Sequence, residues 1–406
     1  MSILAGAVAA VPLYLMSRHE PAPPPARPPL QRQVVIDWQP ELPDLHAEPP
    51  AAAAEPTLSE EGEEQIQRRL TTLARELARM WTRSPERLVQ VIDSASRAVD
   101  KSPPVTLLLA IAHAETNGKI LDISEAGAVG LAQATPVAYL QEKFSGKLYI
   151  TDDYVNGSRA YMVKKPLGDA YKIATVALER RKGSAERAAR LLRSARSLRR
   201  EGLEELNFLV PYASPGYVES IERADRYNRD TLALLGKLLQ DGDRESLEAF
   251  RDRMKREYAG LREEQARDWR RYQRDLVARR DQVLMTRYGA PVATLDDELV
   301  YEASEYLART LDDRFSATNM AAFLVQHLET KRLEARKLAR SSRQVEAMTA
   351  ALYNGGSHNV KRMLSGLIAS LPETDHYMRK VPATRRRLDA TVAMAEGGDS
   401  RSERTR

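Results

Sequence analysis

In the stretch "IAHAETNGKILDISEAGAVGLAQATP", residues 111–136, Glu115 ends an apolar helical run and is followed by a loop poor in side chains. Leu108, Ile111 and Ala112 precede it by seven, four and three residues, so they share its helical face and draw the acid away from water. Burial disfavours the ionised form, and the negative end of the helix dipole disfavours it again. A glutamate raised toward neutrality in this way holds a proton at working pH and can donate it as a general acid. Gly127 and Gly130 remove side chains so that backbone can approach a bulky ligand, and Gln133 offers a polar ligand both a donor and an acceptor.

The helix that carries the acid, "PPVTLLLAIAHAET", needs apolar neighbours, and the flanking sequence supplies them. Thr57 and Glu60 have capping-box spacing ahead of Ile66, Leu70, Leu73, Leu77 and Met80, which trace one helical face. Ser84 as cap and Pro85 in the first turn open a second helix with Leu88, Val91, Ile92, Ala95 and Val99 inward, and "KSPPV" repeats the device. Strand signals are almost absent apart from "KLYIT", residues 147–151. An all-α body with short connections follows. Residues 160–300 keep the helical period but carry much more charge. Between Arg244 and Arg287, apolar or aromatic residues stand at 247, 250, 254, 258, 261, 269, 272 and 276, with Gln265 in one slot. This eleven-residue repeat predicts a nearly straight helix of about 65 Å, broken by Gly289 and Pro291.

With 406 residues and 43% hydrophobic content, the chain can build two or three domains. A net charge of +5 on a surface rich in both signs argues against a dedicated nucleic-acid binder. The stripe Arg187, Arg190, Arg193 and Arg196 is diluted by nearby glutamates and has no interleaved aromatics, which fits a solvated face with weak steering toward acidic polymers. There is no cysteine, and the six histidines are scattered, so no metal or cofactor is called for. His113, beside the acid, reads as a packed or surface residue.

The first 20 residues are apolar from Ile3 to Met16, shorter than the ~20 residues of a spanning helix but suited to an export segment. A docked N-terminal helix and an uncleaved anchor are the alternatives. Residues 21–57 form a proline-rich, disordered linker of polyproline type that could reach roughly 110 Å. It holds one apolar island, "VVIDWQPEL". Residues 391–406 are expected to be a disordered tail.

The order and spacing of these residues resemble the catalytic domain of soluble lytic transglycosylases, lysozyme-like enzymes that cut bacterial peptidoglycan. Glu115-Thr116, then Ser124, Gly127 and Ala128, then Gly130, Leu131, Gln133 and Pro136 follow the family's Glu-Ser, Ser-x-x-Gly-Ala and Gly-Leu-Met-Gln elements. Thr116 stands where Ser is common, and Ala132 where Met is usual. "ALYNGG", residues 351–356, is similar to the family's Ala-Tyr-Asn-x-Gly element, and "ETDHYMRKV", residues 373–381, to its closing segment. Asn319 matches the Asn of an Asn-x-x-x-Gly helix whose Gly is out of register here. The likeness spans about residues 85–160 and 295–385.

The resemblance implies an all-α, lysozyme-like (goose-type) domain over residues 58–160 and 295–390, interrupted by a charged helical insertion over 161–294. It makes Glu115 catalytic and assigns substrate binding to Thr116, Ser124, Gly130, Leu131, Gln133, Tyr353 and Asn354. Tyr353 would border the cleft; Tyr377 is either a cleft residue or a core aromatic. The implied reaction breaks the β-1,4 bond between N-acetylmuramic acid and N-acetylglucosamine. Glu115 would protonate the linking oxygen, then take the proton of the C6 hydroxyl as it closes onto C1, leaving a 1,6-anhydro end without water or cofactor. The implied partners are glycan strands, with the insertion as a surface for a protein partner and membrane contact only through the N-terminus. The implied location is the periplasm or cell envelope. Two alternatives stay open: a goose-type hydrolase drawing further carboxylates from Asp122, Asp152 or Asp153, and a peptidoglycan-binding scaffold without turnover.

Overall fold

Residues 105–112 are apolar on every side except at Thr106, so burying them takes neighbours all round. In the computed structural model, which describes residues 60–144 and 146–402, α1 (Glu60–Ala78), α2 (Glu86–Arg97) and α3 (Val105–Thr116) lead the chain. Leu108, Leu109, Ala110, Ile111 and Ala112 of α3 are all fully buried. The acid's helix is thus a central one rather than a helix with one apolar face. On α1, Leu70, Leu73 and Leu77 turn inward as their spacing requires.

The caps differ from expectation. α2 and α3 start directly after Pro85 and Pro104, and no side-chain hydrogen bond caps either. The backbone N–H of Ser84 donates to Asp297 Oδ2 at 3.0 Å, and the Ser102 and Ser96 hydroxyls pair at 2.7 Å. The Ser84 hydroxyl turns to the Glu86 carboxylate, and only its backbone N–H has gone to a distant partner. Val99 lies beyond the end of α2 and is exposed, while Val89 is buried in its place. "KLYIT" forms no strand, because its backbone bonds elsewhere: Lys147 O accepts from Asp313 N at 2.8 Å, and Tyr149 N donates to Asp312 Oδ2 at 3.0 Å. Among the described residues, only isolated bridges at Ile123, Val129 and Ala134 have β character.

After the short α4 (Pro136–Gln141) come α5 (Asp152–Leu178), α6 (Ser184–Asn207), α7 (Tyr217–Asp241) and α8 (Arg244–Tyr288). With 45 residues, α8 is a rod of about 67 Å. Asp243 Oδ1 accepts from Ser246 N at its start, and left-handed Gly289 ends it. Its stripe packs along α5: Leu247, Phe250, Met254, Tyr272 and Leu276 are buried, and so is Gln265 in the polar slot. The boundary expected after residue 160 falls inside α5. Leu206, Leu209, Tyr272, Leu276 and Leu284 share a core with α1, α2 and α3, whereas Leu167, Ile173, Leu191, Leu235 and Phe250 build a second core of their own. The charged segment therefore shares the main core through one half and builds a second core with the other, which Leu367 also enters and to which Arg362 is tied through Asp169.

The chain closes with α9 (Asp297–Thr310), α10 (Ala317–Leu338), α11 (Ser342–Gly355), α12 (Ser357–Leu364) and α13 (Pro372–Ser402). α3 packs against α2, α10 and α13. The tail expected to be disordered from residue 391 continues α13 to Ser402, with Val392 packed on the core. The expected export segment, the linker and the Thr57 cap lie outside the described residues. Among the described residues, no helix is long and apolar enough to cross a membrane.

The approach of α5 to α8 depends on Gly157, where an added Cβ would overlap the Trp269 indole. Alanine gains up to about 1 kcal/mol of helix propensity, but overpacking costs about 1–3 kcal/mol, so strain wins. Gly157→Ala should lower the unfolding free energy by a net of up to about 2 kcal/mol, read from urea titration by circular dichroism, with helical content retained.

Candidate functional site

The last turn of α3 ends at left-handed Asn117 (φ 52°), which leaves Glu115 at the mouth of the helix. The loop that follows folds back on itself. Ser124 N donates to Ala128 O at 2.9 Å, Ser124 Oγ accepts from Ala128 N at 3.0 Å, and Gly130 N donates to Asp122 O at 3.0 Å. Its inner side is clamped by Arg314, which is 0% exposed. Arg314 Nη1 donates to Gly127 O (3.1 Å) and Ala134 O (2.8 Å), while Nε and Nη2 hold both oxygens of buried Asp312 at 2.9 and 2.8 Å. Nη2 also donates to the Tyr272 hydroxyl at 3.0 Å, and that hydroxyl donates to Tyr149 O at 2.9 Å. The long helix thus supports the loop directly, and Arg280 of α8 adds a bond to Leu121 O at 2.9 Å.

This geometry corrects the role expected for the glycines. A Cβ on Gly127 (φ +71°) would overlap the Tyr272 ring, and one on Gly130 (φ +76°) would overlap the Arg314 carbonyl. The close approach that they permit is to the protein's own α8 and Arg314 rather than to a ligand.

Glu115 is partly exposed to a cleft of ≈ 1660 Å³, and Ser124, Gln133, Tyr353 and Asn354 line the same space. Tyr377 of α13, itself buried, donates its hydroxyl to Glu115 Oε1 at 2.7 Å. Burial drives the Glu115 carboxyl up and the Tyr377 bond pulls it down; Glu373 raises it, Lys380 lowers it, and it settles at about 7. Tyr353 lies parallel to Tyr377, with ring centroids 6.5 Å apart, and donates to Ala132 O at 2.8 Å. Its ring meets His327 edge-on at 5.3 Å, and His327 Nδ1 is 2.6 Å from Glu142 Oε1. Gln133, at φ 45°, is fixed by its Nε2 bond to Gly130 O at 3.0 Å. Asn354 Oδ1 accepts from Thr374 Oγ1 at 3.1 Å.

Three expected substrate contacts are not brought to the cleft. Thr116 is buried with its hydroxyl on Ala112 O at 3.4 Å, Leu131 is a core residue, and Gly130 packs on Arg314. All three sit beside the acid's loop and shape it from behind. Asn319 occupies the first turn of α10, donating its backbone N–H to Ser316 Oγ at 3.2 Å, away from the cleft lining. Nor do the carboxylates considered as second acids line the cleft: Asp122 accepts from Ile123 N at 3.1 Å, and Asp152 and Asp153 open α5, Asp153 lying 3.9 Å from Arg271. His113 packs, its Nδ1 accepting from Trp81 Nε1 at 3.0 Å, and burial beside Lys380 and Arg387 lowers it to about 4. Arg187, Arg190, Arg193 and Arg196 lie on the exposed face of α6.

The sequence reading missed Arg314, Asp312, Glu142 and His327. Only the Phe323–His327 spacing of four residues, which becomes a stacked pair at 5.0 Å, carries a local signal. It also missed that the insertion forms a wall of the cleft through Tyr161, Lys164, Lys165, Glu205 and Trp269. Among the described residues, no group of His, Asp or Glu could hold a metal ion.

The raised carboxyl has a consequence for stability. A folded-state value of about 7 against an ordinary 4.5 means that Glu115 favours the folded state when protonated, and that this contribution fades as pH rises through 7. Glu115→Gln should therefore be more stable than the native chain at pH 8, by up to about 3 kcal/mol. The gain should shrink toward pH 5, as read from thermal midpoints at both values.

Comparison with family models, with curated proteins and with solved structures finds no match to this chain.

Proposed function

We propose that the protein is a peptidoglycan lytic transglycosylase of lysozyme-like fold, with its catalytic body formed by residues 58–160 and 295–390. The observation that carries this reading is Glu115: one carboxyl at the end of a buried helix, facing a long cleft, held by Tyr377 and raised to about 7. It stands at the head of the ordered Ser124, Gly127, Gln133 and Tyr353 pattern.

Hydrolysis of a glycoside ordinarily needs two carboxylates at a set separation. Here Asp122, Asp152 and Asp153 stay outside the cleft lining; of the glutamates that share it with Glu115, Glu142 is bound to His327 and Glu201 to Lys361, while Glu204, Glu205 and Glu373 also line it, so the products formed decide between one acid and two. With Tyr377 on Oε1, the other oxygen of Glu115 is left to carry the proton toward the oxygen between N-acetylmuramic acid and N-acetylglucosamine. As that bond breaks, Glu115 becomes a carboxylate and accepts the C6 hydroxyl proton, while O6 closes onto C1. The proton returns to the enzyme, no water is consumed, and the product ends in a 1,6-anhydro ring. Tyr377 steadies the carboxylate in the charged half of the cycle. Export to the cell envelope, with membrane contact confined to the N-terminal segment, belongs to the same reading.

Digestion of purified sacculi followed by chromatography and mass analysis should release muropeptides lighter by one water than reducing ends. Products with reducing ends would assign a hydrolase instead, and no products a binding scaffold. Since one group serves as acid and base, Glu115→Gln should lose about 10²–10⁴ in rate or more. In the native enzyme, kcat should fall as pH rises above about 7. Tyr377→Phe removes a bond that lowers the Glu115 carboxyl, so the alkaline limb of its pH–rate profile should move upward.

A further inference from the structure

The wall that the insertion gives to the cleft contains an ammonium group with unused donors. Lys165 of α5 is only 4% exposed, and among the described residues no hydrogen bond engages its Nζ. The nearest carboxylate oxygen, Glu205 Oε2 on α6, is 3.9 Å away, beyond hydrogen-bond reach. The Tyr161 ring lies against the same ammonium, 4.3 Å from Nζ to centroid. Neighbouring cations are already engaged: Lys361 holds Glu201 at 2.8 Å, Arg362 holds Asp169, and Lys331 donates to Ser357 Oγ at 3.0 Å. The ammonium opens on the cleft, where an anionic ligand can take up its unfilled donors in charge-assisted hydrogen bonds. Glu205 balances the charge at 3.9 Å without taking a hydrogen bond, so the vacant role is that of a hydrogen-bond acceptor, and a carboxylate fills it with a charge-assisted bond about twice as strong as a sugar hydroxyl's. Lys165 and Glu205 both line the cleft that Glu115 faces.

We propose that Lys165, set beside Glu205, is a subsite built by the insertion for a carboxylate of the peptide that peptidoglycan bears on its sugars. The proposal rests on the transglycosylase reading above. It gives the charged segment a part in substrate selection: the glycan lies along the Glu115 loop, and its peptide reaches across to α5 and α6. Glu205, left 3.9 Å from the lysine, keeps acceptor capacity for an amine on the same peptide.

The test compares two glycans, one bearing its stem peptides and one stripped of them by an amidase, in the native enzyme and in Lys165→Met. The variant should lose about tenfold or more in kcat/KM on the peptide-bearing glycan and change less than about twofold on the stripped one. Equal effects on both glycans, or none on either, would overturn the subsite. Calorimetry on the native chain gives an independent arm: the free stem peptide should bind, and its fully amidated form at least about tenfold more weakly. Absence of binding, or equal binding of the two forms, would also overturn it. This arm stands if Lys165→Met does not fold. Should the native enzyme cleave neither glycan, the transglycosylase reading fails, while the calorimetry still decides the subsite.

Discussion

A guanidinium with no access to water holds the site together. Arg314 meets Asp312, two loop carbonyls and the Tyr272 hydroxyl, so the Gly-rich loop, the long helix and the turn before α10 share one polar knot. Taking such a charge out of water is affordable only when every donor finds an acceptor, and removing one partner of a buried pair costs about 3–5 kcal/mol. The knot therefore tolerates little variation in loop position. That rigidity is what a cleft needs if a carboxyl is to meet a sugar oxygen in one geometry.

The acid itself is held in tension. Burial raises it, and one tyrosine hydroxyl pulls it part of the way back. Neither influence would suit the proposed chemistry alone: full desolvation would make the carboxylate a state too costly to visit, and full stabilisation would strip the proton before use. A value near neutrality lets the same group be acid and then base. Lys380 and Glu373 add opposing charges at α13, so the helix that closes the body also tunes the acid.

The insertion changes meaning once its two cores are distinguished. Its far half builds a second core around Leu191, Leu235 and Phe250 that Leu367 completes from beyond α12, while its near half lends Tyr272 and Leu276 to the main core and Tyr161, Lys165 and Glu205 to the cleft. A segment that looked separable by composition is thus part of the architecture of the site. On the far half, Arg190 and Arg193 of α6 are exposed, while Arg187 lies 3.9 Å from Glu179 and Arg196 donates to Leu232 O at 3.2 Å.

Much was legible in the sequence because it is local. The eleven-residue repeat marks α8 and its end at Gly289, the apolar run marks α3, and the place of Glu115 at the end of that run foretells a desolvated acid. Helical period and left-handed or proline stops act over a few residues, so each can be read along the chain. What tertiary structure alone decided lies in pairings across long separations: Arg314 with Gly127, 187 residues apart, and Tyr377 with Glu115, 262 apart. The same holds for Thr116 and Leu131, whose motif positions suggest contact with a ligand but whose side chains turn into the core. Spacing fixes which face of a helix a residue occupies; only packing decides whether that face meets a cleft, another helix or a buried charge.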